Sequence, residues 1–271
     1  MEQSLIPMLF AIFAAIGMAI GIISIIKRIP KIWYANILSS MNAFCGMLSI
    51  VSSIHYHNLI WAFVFIRLGG VFDLFDGRAA RKHGTTKRGD WFDDGADLIT
   101  FGLATGTMLY EFGGRYAWFY GSAYIVCVAG RLARYTWFDS QRDDLPKKIF
   151  NGLPSPAGSD IVTSICLISL DDHILFIAAI FSSLLMISHL WFAHFGRVMS
   201  EYVSNSKEKR WSLRVIGAVI AIAALGYLIS LRDATLFGWI FLFLIVLYMV
   251  VGRITAIRAK KSFQTQVAES V

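Results

Sequence analysis

The chain has 271 residues, of which 56% are hydrophobic and only 16% are charged. This composition is more apolar than that of ordinary soluble domains and is typical of a membrane protein. The net charge of +7 suits a protein that faces anionic lipid, so the basic balance does not imply nucleic acid as a partner. The three cysteines, Cys45, Cys127 and Cys166, lie apart in apolar segments, without disulfide or zinc-ligand spacing.

Nine apolar blocks follow one another along the chain, and most are long enough for a helix to cross about 30 Å of hydrocarbon. They cover approximately residues 5–26, 33–53, 59–75, 92–110, 116–134, 158–170, 174–195, 215–231 and 236–251. The sixth block is short for a crossing, and we expect its helix to include residues 155–157. The sequence therefore predicts an all-α fold, a polytopic membrane helical bundle.

The first block is expected to be a retained helix rather than a signal peptide. The segment before it contains Glu2 and no Lys or Arg, and its apolar run exceeds a typical signal core. With the amino terminus outside, the basic segments 27–31, 78–88, 142–148, 197–214 and 253–261 all fall on one side. Only Arg115 and Arg232 fall opposite, so the basic side is predicted to be cytoplasmic.

Carboxylates cluster where the third block ends and the fourth begins. Asp73 and Asp76 are spaced i,i+3, and Asp93 and Asp97 are spaced i,i+4, so each pair lies on one face of its helix. A short loop at about 82–88 would bring both faces together at the cytoplasmic membrane edge. Because four like charges repel one another, the pattern favours bound divalent cations, Mg²⁺ or Mn²⁺.

Small and basic residues lie between these carboxylates. Gly77 and Gly89 let a ligand approach the backbone, Ala80 is also small, and Arg81 lies one turn beyond Gly77, where it can reach phosphate. Together they describe a groove for a metal-bridged pyrophosphate. The plainer alternative is a solvated cytoplasmic loop with surface ion pairs, and only the spacing argues against it.

Written as a pattern, the segment reads Asp73-x2-Asp76-Gly77-x2-Ala80-Arg81-x7-Gly89-x3-Asp93-x3-Asp97. It resembles the complete signature of the CDP-alcohol phosphotransferase family at all eight fixed positions. The resemblance implies that a hydroxyl displaces CMP from a CDP-lipid such as CDP-diacylglycerol. It also implies two Mg²⁺ or Mn²⁺ ions held by the four aspartates, and CDP contacts at Asp73, Gly77, Ala80, Arg81 and Gly89.

By the same resemblance, Asp97 is the expected general base, one helical turn from Asp93. Asp90 and Asp94 fall outside the pattern and are expected to be loop or supporting groups rather than ligands.

Within the family, the flanking segments are similar to those of the membrane-embedded phosphatidylserine synthases. The similar positions are Asn36, Ser39, Asn42 and Gly46, then the segments 131–135 and 150–156, and together they span about residues 33–195. L-serine is therefore the expected acceptor, and Arg131 and Arg134 are candidates to bind its carboxylate. The alternative role for these two arginines is contact with lipid headgroups at the membrane interface.

Several residues depart from the synthase pattern. Asp94, Gly95, Thr100, Thr105 and Thr136 replace the usual Ser, Leu, Ser, Pro and Asn. These changes leave the metal and CDP positions intact but weaken the prediction of serine, so inositol phosphate, glycerol phosphate and choline stay open as acceptors.

The resemblance also implies a division of the chain and a homodimer. Residues 1–31 are predicted to be an additional helix and basic turn, and 32–197 the six-helix family core. Residues 198–271 are predicted to add two helices and a basic tail, giving about three helices beyond the core.

Two rival classes share part of the pattern. Asp93-Asp94-x2-Asp97 is also similar to the diphosphate motif of intramembrane prenyltransferases, but the spacing from Asp73 to Arg81 has no counterpart there. A transporter would place such carboxylates near the bilayer midplane, whereas these lie at a basic helix edge.

Overall fold

A computed structural model of the chain describes residues 30–139, 149–194 and 234–269. The predicted first and eighth apolar blocks and the basic segment 142–148 lie outside the described residues. Within the described residues the chain is mostly helical, in agreement with the sequence prediction.

The first helical pair carries half of the candidate site. A 3₁₀ turn, Lys31–Trp33, leads into α1, Tyr34–Ile54, which packs against α2, Leu59–His83. Asn58 begins α2 by accepting a hydrogen bond from the backbone N–H of Trp61. Gly84 ends it with φ +84°, a left-handed conformation that favours glycine.

A continuous helical rod follows the loop 84–88. It consists of α3, Gly89–Asp97, a π-helical segment, Leu98–Ala104, and α4, Thr105–Phe112. The fourth block was predicted to begin at about residue 92, but the helix begins three residues earlier, so that all of Asp90 to Asp97 is helical. The two aspartate pairs therefore lie on helices joined by a tight turn.

The next helices complete the part of the bundle around the site. They are α5, Ala117–Trp137, α6, Ser155–Ile168, and α7, Asp172–Ile187. The expectation that the sixth helix includes residues 155–157 is confirmed, with Pro156 in its first turn where a missing N–H costs nothing. The last helix, α8, Ala234–Glu269, is far longer than the predicted block because its basic end is also helical.

A short antiparallel strand pair interrupts the helical architecture. β1, Ile149–Asn151, pairs with β2, Trp191–Ala193, so that Phe150 lies opposite Phe192. The prediction of a helix reaching residue 195 is therefore wrong, since α7 ends at Ile187. Arg134 binds the carbonyl oxygens of Met186, Ile187 and Ser188, which gives the end of α7 partners outside the helix.

Large apolar side chains lie on the outside of the described bundle, and many small polar side chains lie between its helices. Large apolar residues such as Val126, Leu184 and Phe243 are exposed on the outside. The buried helix contacts include many small polar residues: Ser39, Asn42, Ser49, Ser53, Thr100, Thr105, Ser155, Ser159, Thr163, Ser164 and Ser182. By length and composition, two described stretches suit a membrane crossing, Lys31–Ile54 and Ala234–Ser262, and α6 and α7 are shorter apolar helices.

Candidate metal centre and its surroundings

Three carboxylates meet between α2 and α3. One oxygen each from Asp73, Asp76 and Asp93 lies within 4.8 Å of the other two. The Asp76 side chain is buried, and Asp73 and Asp93 are half-buried. A set of hard oxygen donors this close together, on two helices, fits a divalent cation of the Mg²⁺ or Mn²⁺ type.

Asp97 lies beside this group rather than within it. Its carboxylate is buried and accepts a hydrogen bond of 3.1 Å from the side-chain amide of Asn42. It also interacts electrostatically with Asp73, Asp93 and Asp76. The structure thus brings three of the four predicted carboxylates into one group and places the fourth next to it.

Helix α1 supplies hydrogen bonds to these carboxylates. The Ser39 hydroxyl lies 2.8 Å from an Asp76 oxygen and 3.2 Å from an Asp93 oxygen, so it bridges α2 and α3. Asn42 reaches Asp97 from the next turn of the same helix. Sequence reasoning gave these two residues no role, although their i,i+3 spacing places them on one helix face.

Glycines let the three helices approach at this level. A Cβ on Gly46 would lie 2.6 Å from the Thr100 hydroxyl, and one on Gly69 would lie 2.6 Å from the Thr100 methyl carbon. Both distances are far below van der Waals contact, so neither position accommodates a side chain as the helices stand. Thr100 also donates a hydrogen bond of 2.8 Å to the Asn42 carbonyl, which fixes the π-helical segment against α1.

The predicted CDP-contacting residues line the end of α2 and the start of α3. Gly89 is buried, and a Cβ there would lie 3.1 Å from Thr85. The nearest atom to a Cβ on Gly77 would be a guanidinium nitrogen of Arg81, at 3.3 Å. Ala80 is half-buried and Arg81 is exposed, so this edge is open to a ligand from the basic side.

The two candidate acceptor arginines have different surroundings. Arg131 is only 6% exposed, donates a hydrogen bond of 2.9 Å to the Ser155 hydroxyl, and lies over the rings of Tyr135 and Phe150. It interacts electrostatically with Asp73, Asp94 and Asp97. Among the described residues, however, no carboxylate comes within ion-pair distance of it.

Arg134, one turn further along α5, binds backbone instead. Its guanidinium donates to the carbonyl oxygen of Asn151 at 2.7 Å, in addition to the three carbonyls at the end of α7. Asp139 lies 3.6 Å from its Nε atom. The side chain therefore joins α5, β1 and α7.

Two departures from the synthase pattern meet in space. The Thr136 hydroxyl donates a hydrogen bond to the Asp94 carboxylate, linking the end of α5 to α3. A third departure, Thr105, hydrogen-bonds with Ser159 at 2.6 Å, deeper in the bundle. Thr136 and Asp94 thus join α5 to α3, and Thr105 joins α4 to α6.

The sequence profile described as CDP-alcohol phosphatidyltransferase matches residues 32–195, more than half of the chain. This matched segment contains every carboxylate and arginine of the candidate site. Helix α8 lies beyond it.

Curated relatives carry one common description, CDP-diacylglycerol–serine O-phosphatidyltransferase. The Bacillus subtilis protein is 34% identical over 177 residues, which cover 63% of this chain and 94% of that protein. The Methanocaldococcus jannaschii protein is 31% identical and covers 62% of this chain and 78% of its own length. A Helicobacter pylori protein is 26% identical over 226 residues, 79% of this chain and 89% of that protein.

Proposed function

The chain belongs to the CDP-alcohol phosphatidyltransferase family, and from this premise we propose that it transfers a phosphatidyl group from CDP-diacylglycerol to L-serine. The observation that carries the proposal is the close approach of the Asp73, Asp76 and Asp93 oxygens, within 4.8 Å of one another, inside the family-matched segment. The descriptions of the relatives support serine as the acceptor. The chain is thus a phosphatidylserine synthase-like transferase of phospholipid biosynthesis, rather than a prenyltransferase or a transporter.

The family generally uses divalent metals, and the donor set of this chain fits them. Asp73, Asp76 and Asp93, with Asp97 alongside, are the residues proposed to hold two Mg²⁺ or Mn²⁺ ions. When bound, such ions neutralise the charge that develops on the departing CMP. The Ser39 hydroxyl lies within hydrogen-bonding distance of Asp76 and Asp93, and by donating its single proton to one of them it orients that carboxylate before any ligand arrives.

The proposed reaction is a displacement at phosphorus. The serine hydroxyl oxygen forms a bond to the phosphorus that carries the diacylglycerol, and the bond from that phosphorus to the CMP oxygen breaks. Asp97 is proposed to accept the hydroxyl proton. The amide of Asn42 orients the Asp97 carboxylate, because it donates to one of its oxygens.

The two substrates are proposed to bind on different sides of the carboxylates. Gly77, Ala80, Arg81 and Gly89 contact CDP, with Arg81 on a phosphate oxygen. Arg131 binds the acceptor carboxylate, since it is a buried cation that interacts with the site and has no ion-pair partner among the described residues. Arg134 was predicted for the same role. Its contact with the Asn151 carbonyl favours a different role, which is to hold the strand pair beside Arg131.

The proposal includes the arrangement in the membrane. The family is membrane-embedded, and the apolar outer surface and polar helix contacts support a polytopic bundle. The distribution of Lys and Arg along the sequence supports an active site that faces the cytoplasm. Residues 32–197 would form the core, flanked by an additional amino-terminal helix and two additional carboxy-terminal helices, in a homodimer.

The test is CMP release by the purified full-length protein with CDP-diacylglycerol and Mg²⁺ or Mn²⁺. The acceptor panel is serine, inositol phosphate, glycerol phosphate and choline. Asp97→Asn removes the proposed base, and Asp90→Asn is the matched control, because Asp90 is an exposed carboxylate on the same helix.

Serine-dependent release that Asp97→Asn abolishes and Asp90→Asn retains is the expected result. Release with another alcohol would support the transferase activity and identify that alcohol, instead of serine, as the acceptor. No release with any acceptor would overturn the proposal.

A further inference from the structure

We propose that Tyr248, on α8 and outside the family-matched segment, is a positioning residue for the acceptor side of the site. The inference rests on the proposed function, because it assigns Arg131 to the acceptor. Tyr248 acts through the strand pair and the Arg131 guanidinium rather than on the reacting atoms.

The first link joins α8 to the strand pair. The Tyr248 hydroxyl donates a hydrogen bond of 2.9 Å to the carbonyl oxygen of Ala193, the last residue of β2. Ala193 lies opposite Ile149 in the antiparallel register. One hydroxyl on α8 therefore fixes the end of β2 and, through pairing, the start of β1.

The second link joins the strand pair to the arginine. Phe150, the central residue of β1, stacks on the His194 ring with centroids 4.6 Å apart. The Arg131 guanidinium lies over the Phe150 ring, 5.4 Å from its centroid. A shift of the strand pair thus moves the aromatic surface on which the buried cation lies.

The strand pair therefore connects the Tyr248 hydroxyl of α8 to the aromatic surface under the Arg131 guanidinium. Carboxylate recognition by a guanidinium depends on orientation, because its donors form a fixed planar fork. A tyrosine that fixes that orientation affects acceptor affinity without touching CDP.

Other contacts hold α8 in place without this hydroxyl. At one end, Phe237 and Phe241 pack edge-to-face on Phe63 with centroids 5.3 and 5.4 Å apart. Toward the other end, the Lys260 ammonium lies 3.3 Å from the centroid of Trp191. Tyr248→Phe removes only the hydroxyl and retains the ring, so the helix is expected to stay docked.

The experiment compares full-length Tyr248→Phe with wild type and with Thr255→Val, all in lipid nanodiscs. Thr255 is the matched control, because among the described residues its hydroxyl bonds only to the Val251 carbonyl of the same helix. For Tyr248→Phe we expect the KM for serine to rise about tenfold, the worth of one hydrogen bond, with the KM for CDP-diacylglycerol unchanged. Thr255→Val is expected to match wild type in both constants.

Hydrogen exchange supplies a readout that does not depend on turnover. In Tyr248→Phe, the backbone amides of residues 149–152 are expected to exchange faster than in wild type, while those of α2 are unchanged. Unchanged exchange together with an unchanged KM for serine would overturn the inference. An equal rise in both KM values would also overturn it, because it would indicate general loosening of the site.

The two proposals fail in different ways. A wild-type protein that releases no CMP with any acceptor overturns the proposed function. The exchange comparison then decides on its own whether Tyr248 holds the strand pair, and unchanged exchange at residues 149–152 counts against it.

Discussion

The carboxylate side of the candidate site is built from residues that are close together in sequence, whereas the arginine side combines residues that are far apart in sequence. Asp73, Asp76 and Asp93 lie on two helices joined by the loop 84–88, so local helical spacing brings them together. Arg131 receives its surroundings from α5, α6 and β1, and β1 is in turn held by β2 and by α8, which is more than 100 residues away in sequence.

This difference decides what each side tolerates. On the carboxylate side, three like charges share a small space and any change in their number alters the chemistry. On the arginine side, several weak contacts together position one cation, so loss of any single contact is expected to weaken acceptor binding only in part. Substitutions on the two sides are therefore expected to differ in the size of their effect on activity and in the kinetic constant that they change.

The largest effect is expected from Asp93→Asn. Removing one of the three clustered carboxylates should lower kcat by about a thousandfold or more, because charge on the departing CMP is no longer neutralised. CMP release at saturating substrates measures it. Asp90→Asn should retain nearly full activity, and an equal loss in both variants would contradict a distinction between the clustered and the exposed carboxylates.

A smaller effect on the same side is expected from Ser39→Ala. The hydroxyl that bridges Asp76 and Asp93 is lost while the carboxylates remain, so the Mg²⁺ or Mn²⁺ concentration for half-maximal activity should rise about 10-fold to 100-fold. A metal titration at fixed substrate measures this. Ser40→Ala is the control, because Ser40 is exposed and its hydroxyl bonds, within the part of the chain that the structure describes, only to the Asn36 carbonyl.

Gly69→Ala tests whether close helix contact holds the carboxylate side in place. The added Cβ would lie 2.6 Å from Thr100 and 2.8 Å from the Asn42 side-chain oxygen, so we expect a loss of about 1–3 kcal/mol in stability. Thermal unfolding in detergent measures it. Gly130→Ala, where an added Cβ meets no atom of the described residues within 4 Å, should be neutral or stabilising, and equal losses would contradict the packing explanation.

The smallest effect is expected from Thr136→Val on the arginine side. It removes the hydrogen bond to Asp94 while retaining the shape of the side chain, so the KM for serine should rise by about two- to fivefold. Initial rates over a range of serine concentrations measure it. A loss of kcat comparable to that of Asp93→Asn would contradict the division into two sides.

The sequence predicted most of the helices around the site and the helical faces that carry Asp73, Asp76 and Asp93. These features depend on periodicity within one or two helices, which is visible in the spacing alone. The predicted helix through residue 195 was wrong: α7 ends at Ile187, residues 191–193 pair with β1, and Arg134, far away in sequence, binds the carbonyls at the end of α7. No local pattern records such a contact.

The residues that hold the site side chains in place show the same difference between what spacing predicts and what only the structure gives. Ser39 and Asn42 have helical spacing that marks a common face, yet nothing in that spacing says which side chains they meet. Tyr248 carries no motif, and its contact with Ala193 depends on how α8 docks on the bundle. Side-chain partners between distant segments therefore required the structure.

The π-helical segment Leu98–Ala104 has a consequence for how the chain length of such enzymes can vary. A π-turn holds one residue more than an α-turn, so loss of one residue there would restore an ordinary α-helix. Asp97 would keep facing the site and Met108 would keep facing the core. The same loss in the middle of α2 would rotate Asp73 and Asp76 by about 100° relative to its start. One-residue insertions and deletions during evolution are thus expected to be tolerated in this segment and rejected in α2.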